Sequence, residues 1–114
     1  MTECIKVVLV DDHAIVRRGL HSYLNAFPDL LVVGEASSGE EALQHLETWL
    51  PDVVVLDMLM PGGMDGIQTI RRIHEMLVNT RIVVLTSYTD DTRVVKALRT
   101  GALGYVRKEA DPEI

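Results

Sequence analysis

The stretch Val53–Gly66 reads VVVLDMLMPGGMDG, and the fold turns on it. Val53 to Leu56 are β-branched and aliphatic, the composition of a strand. The run stops at a carboxylate, Asp57, and Pro61, Gly62 and Gly63 then turn the chain away. We read Asp52–Asp57 as a strand that delivers one carboxylate to a fixed point, with a loop that leaves room in front of it.

Outward from this strand, apolar runs alternate with amphipathic stretches. Towards the N-terminus, IKVVLV (Ile5–Val10) and LLVVGEA (Leu30–Ala36) read as strands. Between them, Asp12 is the expected cap of a helix whose face carries Val16, Leu20, Tyr23, Leu24 and Phe27. SSGEEALQHLETWL opens with an expected capping box, Ser38 to Glu41, and should bury Ala42, Leu43, Leu46, Trp49 and Leu50. Towards the C-terminus, Asp65 and Gln68 cap a helix striped by Ile67, Ile70, Ile73 and Leu77. RIVVLTS (Arg81–Ser87) is a strand, DDTRVVKALRT is a helix stopped by Gly101, and LGYVRK is a short last strand. Strands apolar on both faces, alternating with helices through short connections, specify an α/β fold: a doubly wound parallel sheet with helices on either side. Asp111 and Pro112 would open a fifth helix that has barely a turn of sequence, so one apolar strip of the sheet is expected to lie uncovered.

The chain has 114 residues and 47% hydrophobic content, enough for one domain with a real core. Its formal net charge of −6 argues against direct DNA binding, although a longer parent protein could carry a separate DNA-binding module. The single cysteine, Cys4, excludes an internal disulfide and fits a reducing compartment. Neither a secretory signal nor a membrane-spanning stretch is evident, and a cytoplasmic location is expected.

In open parallel sheets, sites form at the carboxyl ends of the strands. There the sequence places Asp11 and Asp12, Asp57, Thr86 and Ser87, and Lys108. Singly, Asp12 is a helix cap, Asp57 a strand terminator, Thr86 an ordinary strand residue and Lys108 a surface charge. Together they form a pocket in which clustered carboxylates call for a hard divalent cation, Mg²⁺ being the natural choice. Such a set can stabilise a phosphoryl group in transfer, with Asp57 as acceptor. His13 reads as a first-turn helix residue, because no other nitrogen or sulfur ligand stands near it.

From VVLVDDHAIVRRGL through VVVLDMLMPGGMDGI and IVVLTS to GALGYVRKEA, the whole chain resembles the receiver domains of bacterial two-component response regulators. VDDHAIVRRGL and ALRTGALGYVRKEA look most like the NarL/FixJ (LuxR-type) subfamily. The resemblance implies a flavodoxin-like fold with strand order 2-1-3-4-5 and its fifth helix truncated. Residues 1–114 would be a receiver lacking most of that helix, and the helix-turn-helix effector domain lies outside this chain. It implies Asp57 as phosphoacceptor, and Asp11, Asp12, Asp57 and the Leu59 carbonyl as Mg²⁺ ligands. Thr86 and Lys108 would hold the phosphoryl group, and Thr86 and Tyr105 would form the switch. The implied partners are a sensor histidine kinase, a second copy of the chain in a dimer, and DNA only through the effector domain; no membrane is implied. The domain would catalyse only its own phosphorylation and dephosphorylation. PGGMDG has one residue more than the usual PGMDG. Glu109 stands where many receivers have proline. Tyr88 is expected to obstruct attacking water, so Tyr88→Ala should speed hydrolysis of the phosphorylated domain. Self-association is expected to differ from that of a receiver with a complete fifth helix.

Two rival readings have distinct expectations. A haloacid-dehalogenase-like phosphotransferase would need an acid two residues after the nucleophile, where Leu59 stands, and would turn over phosphate esters. A pseudo-receiver would have lost one of the essential residues, and all of them are present.

Overall fold

The structure is a computed structural model that describes residues 4–58, 60, 63–86 and 91–107, without the side chains of 91–93 and 107. Its elements alternate: β1 (Ile5–Val10), α1 (Ala14–Asn25), β2 (Leu30–Ala36), α2 (Gly39–Trp49), β3 (Val53–Asp57), α3 (Gly66–Met76), β4 (Arg81–Thr86), α4 (Asp91–Thr100) and β5 (Gly104–Arg107). All strand pairs are parallel, in the order β2-β1-β3-β4-β5. The chain moves one way from β1 to β2 and the other way from β2 onward. Right-handed crossovers therefore put α1 on one face and α2, α3 and α4 on the other. The doubly wound α/β architecture and the order 2-1-3-4-5 hold.

Among the described residues, the two faces of the sheet are covered unequally. Towards α2, α3 and α4, Val8, Val10, Val54, Leu56, Ile82 and Val84 are completely buried, against Leu46, Ile70 and Ile73. On the α1 face, Leu9 is buried, Val53, Val55 and Val83 are only half-buried, and Val106 is exposed. No residue of α1 is fully buried. The expected fifth helix and the terminal EADPEI segment lie outside the described residues.

Local chemistry explains most helix boundaries. Asp65 and Gln68 form the complete capping box expected of α3. In α2 the box is rerouted. Ser38 accepts from the Glu41 amide, but the Glu41 carboxylate turns back to the amide and hydroxyl of Ser37 rather than to Ser38. Gly101 ends α4 at φ 142°, a conformation that glycine adopts without Cβ strain. Two face assignments differ from expectation. Leu50 is the left-handed C-cap of α2 and is exposed; Val16 of α1 is 37% exposed, and Phe27, 43% exposed, lies past the end of α1 at Asn25. Several element ends shift by one residue, within the usual fraying.

β1 and β2 slip register between Val7 and Val8: Val32 pairs with Val7 and Gly34 with Val8, leaving Val33 as an extra residue. The bulge brings Gly34 beneath the Trp49 indole of α2. A Cβ on Gly34 would lie 2.3 Å from the indole.

Candidate functional site

The carboxyl ends of β1 and β3 meet at one rim. The Asp11 amide donates to the Ala36 carbonyl, extending the β1–β2 contact past the strand. The Asp11 carboxylate is buried and accepts the His13 amide at 2.8 Å, a side-chain turn that bends the chain into α1. The helix consequently starts one residue later than expected. His13, not Asp12, occupies the N-cap, in an extended conformation (φ −91°, ψ 101°) and without a side-chain cap bond. Asp12 is left on the rim instead.

His13 itself departs from expectation. Its Nδ1 lies 3.0 Å from Asp11 Oδ1, 3.0 Å from Asp12 Oδ1 and 3.7 Å from Asp57 Oδ2. Asp57 ends β3 with only 1% of its surface exposed. Beyond it, the Met58 amide donates to the Leu85 carbonyl, so the acid is anchored from both sides. One atom each from Asp11, Asp12, His13 and Asp57 fall within 4.8 Å of one another. Three hard oxygen donors this close fit a divalent cation, which would offset their mutual repulsion.

Thr86, the last residue of β4, is buried at the same edge of the sheet. Tyr105 of β5 is 45% exposed and pairs with Val84. Lys108, Leu59, Ser87, Tyr88, Glu109, Pro61 and Gly62 lie outside the described residues.

Two supporting contacts were not foreseen. Arg17 of α1 donates through Nη1 to the Asp11 carbonyl and through Nε to Glu35 Oε1 at 3.0 Å, and His21 Nδ1 meets Glu35 Oε2. Burial pushes the Glu35 carboxyl up, but the hydrogen bonds and charges of His21 and Arg17 outweigh it and hold the group below its ordinary 4.5. This chain ties the backbone at the acid rim to α1 and β2. Separately, Glu40 in the first turn of α2 accepts the Met64 amide at 2.9 Å, fastening the loop that follows Asp57. Both contacts join residues far apart in sequence, and only the strand order reveals them as neighbours.

The response regulator receiver domain family matches residues 7–114. The chain belongs to this family. Among curated relatives, this receiver is 45% identical to the uncharacterized transcriptional regulatory protein YhcZ of Bacillus subtilis, over 96% of this chain and 50% of YhcZ. It is 40% identical to the nitrate/nitrite response regulator NarL of Escherichia coli K12, over 94% of this chain and 49% of NarL. The receiver thus spans about half the length of the curated relatives it matches. Among solved structures, the signal receiver domain of the putative response regulator NarL from Mycobacterium tuberculosis superposes with a TM-score of 0.89. The two share 35% identity, over 97% of this chain and 89% of the other. Together with its curated relatives, the match places the receiver among NarL/LuxR-type two-component response regulators. No helix among the described residues is long and apolar enough to cross a membrane.

Proposed function

We propose that this receiver takes one phosphoryl group onto Asp57 from a phosphohistidine of a sensor kinase, or from a small acyl phosphate. The observation that carries the reading is the convergence of Asp11, Asp12 and Asp57 at one strand-end rim. A carboxylate oxygen of Asp57 attacks phosphorus, the N–P bond of the donor breaks, and the departing electron pair returns to the donor imidazole. Burial at the end of β3 restricts Asp57 to one direction of attack. Asp11, Asp12, Asp57 and the Leu59 carbonyl would hold Mg²⁺, which when bound neutralises charge on the phosphoryl oxygens. The Thr86 hydroxyl donates to a phosphoryl oxygen and Lys108 pairs with another; Lys108 and Leu59 enter on their sequence positions alone. Thr86 and Tyr105 form the switch: as Thr86 moves towards the phosphoryl group, the exposed Tyr105 ring turns inward and remodels the α4–β5 surface.

The relatives support a reading of the output. Proteins about twice as long, named as transcriptional regulators, support a parent protein with a helix-turn-helix domain that binds DNA, the receiver itself being too acidic to do so. The domain transfers phosphate only to and from itself, acts in the cytoplasm, and pairs with a second copy when activated.

The test is intact mass after incubation with acetyl phosphate and Mg²⁺. We expect one added phosphoryl group, absent in Asp57→Asn and absent without Mg²⁺. No gain on folded protein would overturn the reading.

A further inference from the structure

We propose that His13 is a nitrogen ligand of the cation site, giving it a preference for borderline divalent ions over Mg²⁺ that carboxylates alone would not confer. The proposal rests on the cation-site reading above and concerns a residue that reading does not use.

The geometry favours a shared centre. Around an octahedral ion with bonds of about 2.1 Å, neighbouring ligand atoms lie about 3.0 Å apart. His13 Nδ1 stands 3.0 Å from one oxygen of Asp11 and 3.0 Å from one of Asp12. Its 3.7 Å separation from Asp57 Oδ2 falls between the spacings of adjacent and opposite positions. With a proton on Nδ1 the 3.0 Å contacts are hydrogen bonds to the two carboxylates; with the proton on Nε2 the same spacing suits Nδ1 and the two oxygens as adjacent ligands of one ion. The local backbone explains this placement. At an N-cap, a short polar side chain normally accepts an amide of the first turn. His13 makes no such bond, and its extended conformation swings the ring back over the carboxylates. The imidazole is 57% exposed, so its ring is not locked within the core. As a ligand it binds through Nδ1 with its proton on Nε2.

Donor chemistry sets the direction of the preference. Mg²⁺ takes oxygen ligands and keeps much of its water, whereas imidazole suits the later transition metals. Co²⁺ is the useful probe, because its visible spectrum reports nitrogen ligation independently of phosphorylation.

The experiment is calorimetric titration of the metal-free 114-residue chain with CoCl₂ and with MgCl₂, at one pH, for the native protein, His13→Asn and Asp57→Asn. Asparagine is a good N-cap, so His13→Asn should preserve the fold; far-UV circular dichroism checks this. Removing even an outer partner of a ligand commonly costs about 10–100-fold in affinity. We expect His13→Asn to weaken Co²⁺ by about tenfold or more, to leave Mg²⁺ within about twofold, and to shift the Co²⁺ bands. Unchanged Co²⁺ affinity in His13→Asn would overturn the proposal. So would equal tightening for both ions, since the imidazole would then be a competitor for the site. Either result, with Asp57→Asn still weakening both ions, would leave the carboxylate site standing. Indifference of both ions to Asp57→Asn would overturn the cation-site reading itself.

Discussion

Asp11 illustrates how one side chain can set both a turn and a site. Its carboxylate accepts the His13 amide while its carbonyl receives Arg17, and Arg17 in turn is held by Glu35. Loss of charge on Glu35 should therefore be felt at the rim. The carboxyl of Glu35 lies below 4.5 in the folded protein, so the unfolded chain binds its proton more readily. The resulting stability is fully present above the unfolded value. It is lost as pH falls from about 4.5 through the depressed folded value. Glu35→Gln should remove that part of the slope. Urea midpoints measured from neutral pH down to pH ~3 should fall less steeply in the variant than in the native chain. Identical slopes would exclude the coupling.

At the scale of elements, the close approach of α2 to β2 depends on having no side chain at Gly34. The bulge at Val33 aims this position at the Trp49 ring, which lies over it and also stacks with His45 at 5.0 Å. Gly34→Ala should cost about 1–3 kcal/mol, the usual penalty of overpacking. Urea unfolding measures it, and Trp49→Leu should recover part of the loss in the double variant. A neutral Gly34→Ala would show that α2 can slide. The α2 helix also reaches the site, since Glu40 pins Met64. Glu40→Ala should speed hydrogen exchange at the Met64 amide while leaving exchange in β3 unchanged. The strands and the α3 cap were legible in sequence because they depend on neighbouring residues, and Asp65 with Gln68 needs nothing else. α1 starts one residue later than spacing predicts because Asp11 accepts the His13 amide, a competition that sequence spacing does not rank. Helical period puts Leu50 on the buried face, but period does not show where the last turn unwinds.

For the whole molecule, the strand order decides both what is buried and what meets. The rim carboxylates could be named from sequence, since each follows an apolar run. Their distances could not, nor could the arrival of His13 or the Arg17–Glu35 tie across β1 and β2. The unequal burial of the described strand residues has an energetic counterpart. Val84 is completely buried and its neighbour Val83 only half so. Val84→Ala should cost about 2 kcal/mol, from two lost carbons and an unfilled space. Val83→Ala should cost clearly less in the same urea titration, and equal costs would mean that the α1 face is sealed after all.

The opposite rim carries a consequence of a different kind. There the turn after α3 runs through Val78 and Asn79, with Val78 68% exposed, while Thr80 beside it is anchored by its hydroxyl to the Pro51 carbonyl. The sheet separates this turn from the acids by the full length of its strands. A fluorophore or tether attached through a cysteine at residue 79, with the exposed Cys4 replaced, would sit beside the anchored Thr80 without crowding the strand-end acids. The receiver thus offers a handle by which it can be held or observed while the acid rim stays free.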